Sequence, residues 1–196
     1  LPFINKIKYL NPNSNYMFFT DNDIDKFILN KFPIYYNTYI NFEFKIQKID
    51  FFRYLAIYYY GGVYLDLDFN IFKSLKDIYH DHICKFPQEL LSNSDIILQS
   101  QNYNYLIGNY AFYAPKKHPF LKKIIDNILN KRINIKLNNN NNNFKKYIYY
   151  TTGPVMITQS YIDFKNKHLI DVIQPTIFKK YHFGNYGKHL NIGTWK

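Results

Sequence analysis

Asp50-Phe51-Phe52-Arg53-Tyr54-Leu55-Ala56-Ile57-Tyr58-Tyr59-Tyr60-Gly61-Gly62-Val63-Tyr64-Leu65-Asp66-Leu67-Asp68 is the stretch on which the reading of this 196-residue chain turns. From Lys48 to Tyr60 apolar residues recur at helical spacing, at Ile49, Phe52, Leu55, Ala56 and Tyr59. Asp50 falls in the first turn, where a carboxylate suits the helix dipole. Gly61-Gly62 is a helix stop. Beyond it the period changes to two, with Val63, Leu65, Leu67 and Phe69 on one face and Tyr64, Asp66, Asp68 and Asn70 on the other. The pattern predicts a helix, a tight turn and a strand that points both carboxylates to one side. Asp50 and Arg53, three apart, share a helix face, so the glycine turn can bring all four charged residues to one rim.

Two carboxylates beside a cleft can serve one hard divalent cation. Mg²⁺ or Mn²⁺ takes one or two protein carboxylates and completes its shell with water and substrate phosphates. Asp66-Leu67-Asp68 therefore suits a metal-bound diphosphate better than a closed structural site. A polar strand face with solvated carboxylates has the same pattern, and Asp50 with Arg53 alone reads as a surface ion pair. Four charged groups in an otherwise apolar segment favour the site.

Outward from this core, Asn11-Pro12-Asn13 and Tyr16 to Phe19 predict a short helix, a turn and a buried strand. Asp21-Asn22-Asp23 caps a helix over Ile24 to Leu29, which Pro33 interrupts. A helix is expected near Ser74 to Tyr79, a strand at Asp95 to Leu98 and a further segment from Ile107 to Ala114. His118-Pro119 opens a helix through Ile128. Tyr147 to Tyr150 reads as a strand, and Thr151-Thr152-Gly153-Pro154 as a turn that starts another helix. Asn138 to Asn143 is expected to form a loop inserted in one domain of residues 1–196. The tail from Tyr181 to Lys196, rich in Gly and His and without periodicity, predicts a flexible loop. Alternating helices and strands predict an α/β fold with a mixed, mainly parallel central sheet flanked by helices.

Composition narrows the class. Apolar residues make up 47% of the chain and charged residues 20%, enough for a packed core. The single cysteine, Cys84, rules out an internal disulfide framework and a thiolate zinc cage. The formal charge of +11 points to anionic partners, although a low-GC genome raises Lys, Asn, Ile, Tyr and Phe with no function attached. No apolar run reaches the roughly 18–20 residues that span a bilayer. No signal peptide is legible at Leu1 and the chain does not begin with Met, so it reads as a trimmed or processed piece. A soluble, cytoplasmic setting (host cell or viral factory) is expected, or a Golgi lumen if an anchor lies upstream.

The 50–68 segment resembles the signature of the glycosyltransferases with a sugar-binding region containing a DXD motif. This family 32 includes fungal α-1,6-mannosyltransferases and is distantly similar to the glucosyltransferase domains of large clostridial toxins. The shared pattern is Asp50, Arg53, an apolar helix, Gly61-Gly62, Val63, Tyr64, Leu65 and Asp66-Leu67-Asp68. Asn11-Pro12 through Phe19 and Asp21 resembles the family's early "NP…Y…W…D", with Phe19 for Trp. Asn109-Tyr110-Ala111-Phe112 with His118-Pro119 resembles "N…A…HP", and Thr152-Gly153-Pro154 matches "TGP". His189 to Thr194-Trp195 is similar to the closing "HH…GSW", with one His and with Thr for Ser. The family's opening strand, which supports the nucleotide base, has no counterpart here.

The resemblance implies a GT-A fold and a metal-dependent, retaining transfer of a hexose from a nucleotide-diphosphate sugar to a glycan, lipid or protein hydroxyl. It places a UDP-sugar ahead of GDP-mannose, with Mn²⁺ or Mg²⁺ as cofactor and no nucleic-acid partner. Asp68, Asp66 and His189 are implied as metal ligands. Asp50, Arg53, Tyr64, Asp66, Thr194 and Trp195 are implied on the donor, the last two on a closing tail. Asp50, Arg53, Asp66 and Asn109 are implied in catalysis. Alternatives are an inactive nucleotide-sugar relative, a nucleic-acid-binding module, or an aspartyl-phosphate phosphatase. For the phosphatase, the Thr/Val continuation after Asp68 and a later acidic pair are missing.

Overall fold

The structure is a computed structural model that describes residues 3–89, 103–130, 141–176, 178 and 181–192. The order of elements begins α1 (Ile4–Leu10), α2 (Asp21–Lys31), α3 (Pro33–Ile40), α4 (Lys45–Tyr60), β1 (Gly62–Leu65), β2 (Phe69–Ile71) and β3 (Cys84–Pro87). It continues with β4 (Ala111–Ala114), α5 (Pro119–Asn130), α6 (Asn141–Thr151), α7 (Pro154–Ile162), β5 (Ile170–Ile173) and β6 (Gly187–His189).

The centre of the molecule is α4. It buries Phe51, Phe52, Tyr54, Leu55, Ala56 and Ile57, and with them Gln47, Asp50 and Arg53. A helix buried on every side must pair its polar residues internally. It ends where the sequence expects. Gly61 has φ 72°, its N–H donates to the Ile57 carbonyl at 2.8 Å, and a Cβ there would lie 2.9 Å from the Lys116 nitrogen. Only glycine meets both conditions.

A four-stranded sheet in the order β1-β4-β3-β5 lies beside α4, with a two-stranded ribbon of β2 and β6. Helices and Phe86, Phe112 and Tyr64 form the larger core on one face. Val63, Leu65, Phe69, Ile71, Leu75, Ile78 and Phe183 form a smaller one on the other. The α/β class and the mixed sheet agree with expectation, but the parallel share is smaller. Among the described residues only β3 and β5 run parallel, while β1 with β4 and β3 with β4 are antiparallel. The chain leaves β3 and returns to β4 at one end of the sheet. Glu89 N–H donates to the Leu106 carbonyl and Gly108 N–H to the Pro87 carbonyl, both at 2.8 Å. A return at the same end forces antiparallel pairing.

Several local expectations change. The strand read through residues 63–70 is two strands, broken by a turn at Asp66 to Asp68 in which Phe69 N–H donates to the Asp66 carbonyl at 2.9 Å. Leu67, placed by spacing on one face with Val63, Leu65 and Phe69, is 55% exposed. Tyr16 to Phe19 forms no strand and is largely exposed. Ser74 to Tyr79 contributes only a short 3₁₀ turn, Lys76–Ile78. Tyr147 to Tyr150 is helical, within α6. Gln47 donates to Thr151 Oγ1 at 2.9 Å and Tyr54 to the Thr152 carbonyl at 2.8 Å, and these tertiary contacts override aromatic β-propensity. Asn141 to Asn143, read as loop, begins that helix, which Phe144 and Tyr147 pack against Phe44. The remainder of the Asn loop and the strand expected at Asp95 to Leu98 lie outside the described residues.

The tail is not a free loop up to Ile192, because β6 pairs antiparallel with β2, Phe69 opposite His189. Gly187 makes this possible, since a Cβ there would sit 2.5 Å from both the Asn70 carbonyl oxygen and the Phe69 ring. Gly187→Ala should therefore prise β6 from β2 and cost about 1–3 kcal/mol. Urea unfolding checks this, and a midpoint equal to that of the parent chain would contradict the pairing.

Candidate active site

Arg53 is 3% exposed, as is Asp50. Its Nη2 lies 3.0 Å from Asp50 Oδ1 and its Nη1 3.2 Å from Asp66 Oδ1, while Nη1 also donates to the Asn109 carbonyl at 2.7 Å. The guanidinium lies over the Tyr64 ring at 4.6 Å, and the Tyr64 hydroxyl donates to Asp66 Oδ1 at 2.7 Å. Asp50 is held by three donors. Besides Arg53 it accepts from Asn109 Nδ2 at 3.0 Å and from Thr152 Oγ1 at 2.8 Å. Asn109 also donates to the Tyr54 hydroxyl at 3.0 Å. Burial pushes the Asp50 carboxyl up, to about 6, against the opposing pull of Arg53, Thr152 and Asn109. Arg53 stays charged, because Asp66, Tyr64 and Asp50 outweigh the desolvation that opposes it.

The acidic turn is the corner at which the chain leaves the main sheet for the β2–β6 ribbon. Asp66 N–H still donates to the Tyr110 carbonyl at 2.7 Å, while Leu190 N–H donates to the Asp68 carbonyl at 3.2 Å. His189 Nε2 stands 3.0 Å from Asp68 Oδ1 and 3.6 Å from Asp66 Oδ2. One ligand atom from each of Asp66, Asp68 and His189 lies within 4.8 Å of the others. The imidazole stacks on Tyr110 at 4.6 Å, and His182 Nδ1 accepts the His189 backbone N–H at 2.8 Å. Burial and the nearby His189 and Lys188 hold His182 down at about 4, so it is a neutral acceptor. Burial raises the Asp68 carboxyl, but His189 and the Ile192 N–H, 2.9 Å from Oδ2, more than offset it and leave it below the usual range. Two hard oxygens and an imidazole fit a Mn²⁺ or Mg²⁺ site with room for exogenous ligands.

These groups line a cleft of about 1390 Å³, larger than the roughly 300–1,000 Å³ of ordinary small-ligand pockets. The structure thus brings together Asp50, Arg53, Tyr64, Asp66, Asp68, Asn109 and His189. Thr194 and Trp195 lie outside the described residues. The pair Asp50 and Arg53 is not at a surface, so it fixes the frame of the site from within.

Sequence reading missed Glu89, which lies half-buried in the same cleft after β3. The available signal was an acidic residue two positions beyond Pro87, just past the end of the Cys84–Pro87 run. Burial pushes its carboxyl up to about 7, against His189 and with Asp66. Gly108 leaves it space, since a Cβ there would meet Glu89 Oε1 at 2.9 Å and the Tyr110 ring at 2.6 Å.

Asp50→Ala leaves Arg53 buried without its nearest partner and should lower stability by about 3–5 kcal/mol, measured by urea unfolding. A loss below 1 kcal/mol would show the pair to be dispensable. For Glu89 the folded chain holds the proton more tightly than the unfolded one. Its contribution to stability is therefore full below about 4.5 and is lost as the pH rises through about 7. Glu89→Gln should match the parent near pH 4 and exceed it by roughly 1–3 kcal/mol at pH 8. Equal stability at both pH values would contradict the burial of this carboxyl.

Residues 2–85 match the family described as glycosyltransferase sugar-binding region containing DXD motif. Inositol phosphoceramide mannosyltransferase 1 of Schizosaccharomyces pombe is 29% identical over 205 residues, covering 98% of this chain and 56% of that protein. Inositol phosphoceramide mannosyltransferase 3 of the same yeast is 26% identical over 180 residues, covering 88% and 45%. Mannosyl phosphorylinositol ceramide synthase CSH1 of Saccharomyces cerevisiae is 25% identical over 184 residues, covering 88% and 42%. The chain thus spans about half the length of these relatives. Among solved structures, PaToxG Glycosyltransferase aligns with a TM-score of 0.49 at 18% identity, over 79% of this chain and 60% of that one. No helix among the described residues is long and apolar enough to cross a membrane. Arg53, Asp66 and Asp68 all fall in the matched region, so over residues 2–85 the chain is similar to the glycosyltransferase sugar-binding region that its 50–68 segment resembles.

Proposed function

We propose that this chain is the catalytic part of a metal-dependent, GT-A-type glycosyltransferase that moves a hexose, with retention of configuration, from a nucleotide-diphosphate sugar to an acceptor hydroxyl. The observation that carries the reading is the convergence of Asp66, Asp68 and His189 at the corner of the sheet, beside a cleft large enough for a donor and part of an acceptor. Mannosyl donors take precedence over UDP-glucose-type donors, because the yeast relatives are named mannosyltransferases. Their names also carry an inositol phosphoceramide, and a lipid acceptor suits the exposed Met17, Phe18, Leu67 and Ile192 along the cleft.

Asp66, Asp68 and His189 would hold Mn²⁺ or Mg²⁺, which supplies positive charge against the departing diphosphate. Glycosyl transfer breaks the bond between the anomeric carbon and the phosphate oxygen and forms one to the acceptor oxygen. The acceptor proton leaves with the diphosphate. The chain's own residues orient these groups. Arg53 and Tyr64 clamp Oδ1 of Asp66, so its Oδ2 is the oxygen that faces His189. Asn109, locked by Asp50 and Tyr54, fixes the floor of the cleft. Arg53 then acts through Asp66 and not on the diphosphate.

Incubation with Mn²⁺ and GDP-mannose, UDP-glucose, UDP-galactose or UDP-N-acetylglucosamine should release nucleoside diphosphate from one donor, GDP-mannose first, and EDTA should stop it. Asp68→Ala should lower kcat/KM at least about 100-fold. Release from no donor, or a rate untouched by EDTA and by Asp68→Ala, would overturn the proposal.

A further inference from the structure

We infer that Glu89 is the carboxylate that contacts the hydroxyls of the transferred sugar, an inference that rests on the glycosyltransferase reading above. Asp50, Arg53, Asp66 and Asp68 at the cleft floor are tied to one another and to their neighbours, with Arg53 Nε left as an unpartnered donor among the described residues. Asp50 accepts from Arg53, Asn109 and Thr152, and Arg53 is held by Asp50, Asp66 and the Asn109 carbonyl. Asp66 accepts from Tyr64 and faces His189, and Asp68 accepts from Ile192 N–H and pairs with His189. The Glu89 side chain has no hydrogen bond or ion pair among the described residues, yet it is half-buried in the same cleft.

A carboxylate half-shielded from water, with no donor among the described residues, has lone pairs available to a ligand's donors. Sugar hydroxyls are such donors. The position fits. Glu89 follows the end of β3, beside Gly108 and the ring of Tyr110, whose neighbour Asn109 forms the floor. Tyr110 in turn stacks on His189 of the acidic cluster. Glu89 therefore sits beside the place where a diphosphate is held, where the sugar attached to it must lie. Gly108 keeps that space open, since any side chain there would meet both Glu89 and Tyr110. Asp50, the residue that the sequence pattern nominates for sugar contact, already accepts from Arg53, Asn109 and Thr152, so Glu89 is the less committed carboxylate of the cleft.

The test separates sugar from nucleotide. Titration calorimetry with Mn²⁺ compares GDP with GDP-mannose, and UDP with UDP-glucose, on the parent chain, Glu89→Gln and Glu89→Asp. The expected result is that both variants bind GDP or UDP within twofold of the parent. Glu89→Gln should lose roughly 10- to 100-fold in affinity for the matching nucleotide sugar, and Glu89→Asp, which keeps the charge but shortens its reach, should lose less. Unchanged nucleotide-sugar affinity in Glu89→Gln would overturn the assignment. So would an equal loss for the bare nucleoside diphosphate, which would mark a general distortion. Failure of the parent chain to bind any nucleoside diphosphate would instead remove the glycosyltransferase reading, and this inference with it.

Discussion

The buried guanidinium of Arg53 is the interaction on which the rest of the site depends. It ties the central helix to the acidic turn through Asp66 and to the start of β4 through the Asn109 carbonyl, while Asp50 balances its charge from one turn away. Ion pairs this deep are expensive to desolvate and are often no better than apolar packing for stability. What they provide is orientation. With Oδ1 of Asp66 held by Arg53 and Tyr64, the other oxygen has one direction left, toward His189 and Asp68. Charge bookkeeping agrees. Arg53 offsets Asp50, which leaves the negative charge of Asp66 and Asp68 to be met by His189 or a cation.

The sheet's topology explains why this happens at a corner. β1 continues the main sheet through Asp66 N–H, and three residues later the chain pairs with β6 instead. Strand-like alternation could not have put Asp66 and Asp68 on converging paths while leaving Leu67 exposed. A turn does. The tail that supplies His189 is anchored by backbone pairing and by Gly187, so a residue far along the chain meets the acidic pair without a long flexible arm.

Much of this was legible in the sequence for a physical reason. Gly61-Gly62 requires backbone angles that other residues avoid, and helical periodicity before it and acidic spacing after it are local patterns. Those features placed α4 and its stop correctly, while the carboxylates stand in a turn and not on the strand that the spacing predicts. His189 and Asn109 came from family resemblance, since no local rule brings His189 to Asp68. What escaped were the nonlocal balances. Tyr147 to Tyr150 looks strand-like until Tyr54 and Gln47 dock against the end of its helix. The depth of the Asp50–Arg53 pair depends on Thr152 and Asn109 arriving from distant segments. Glu89 stands apart from every motif and becomes visible only when β3 and β4 are paired.

The account's central claim is that Asp66, Asp68 and His189 hold a divalent cation jointly with a nucleoside diphosphate. Electron paramagnetic resonance of Mn²⁺ tests it most directly. Adding the chain should broaden the sharp aqueous Mn²⁺ signal with a stoichiometry of one, and GDP or UDP should tighten that binding. An aqueous signal that the chain leaves unaltered, and that nucleotide lowers no further with the chain than without it, would contradict the claim.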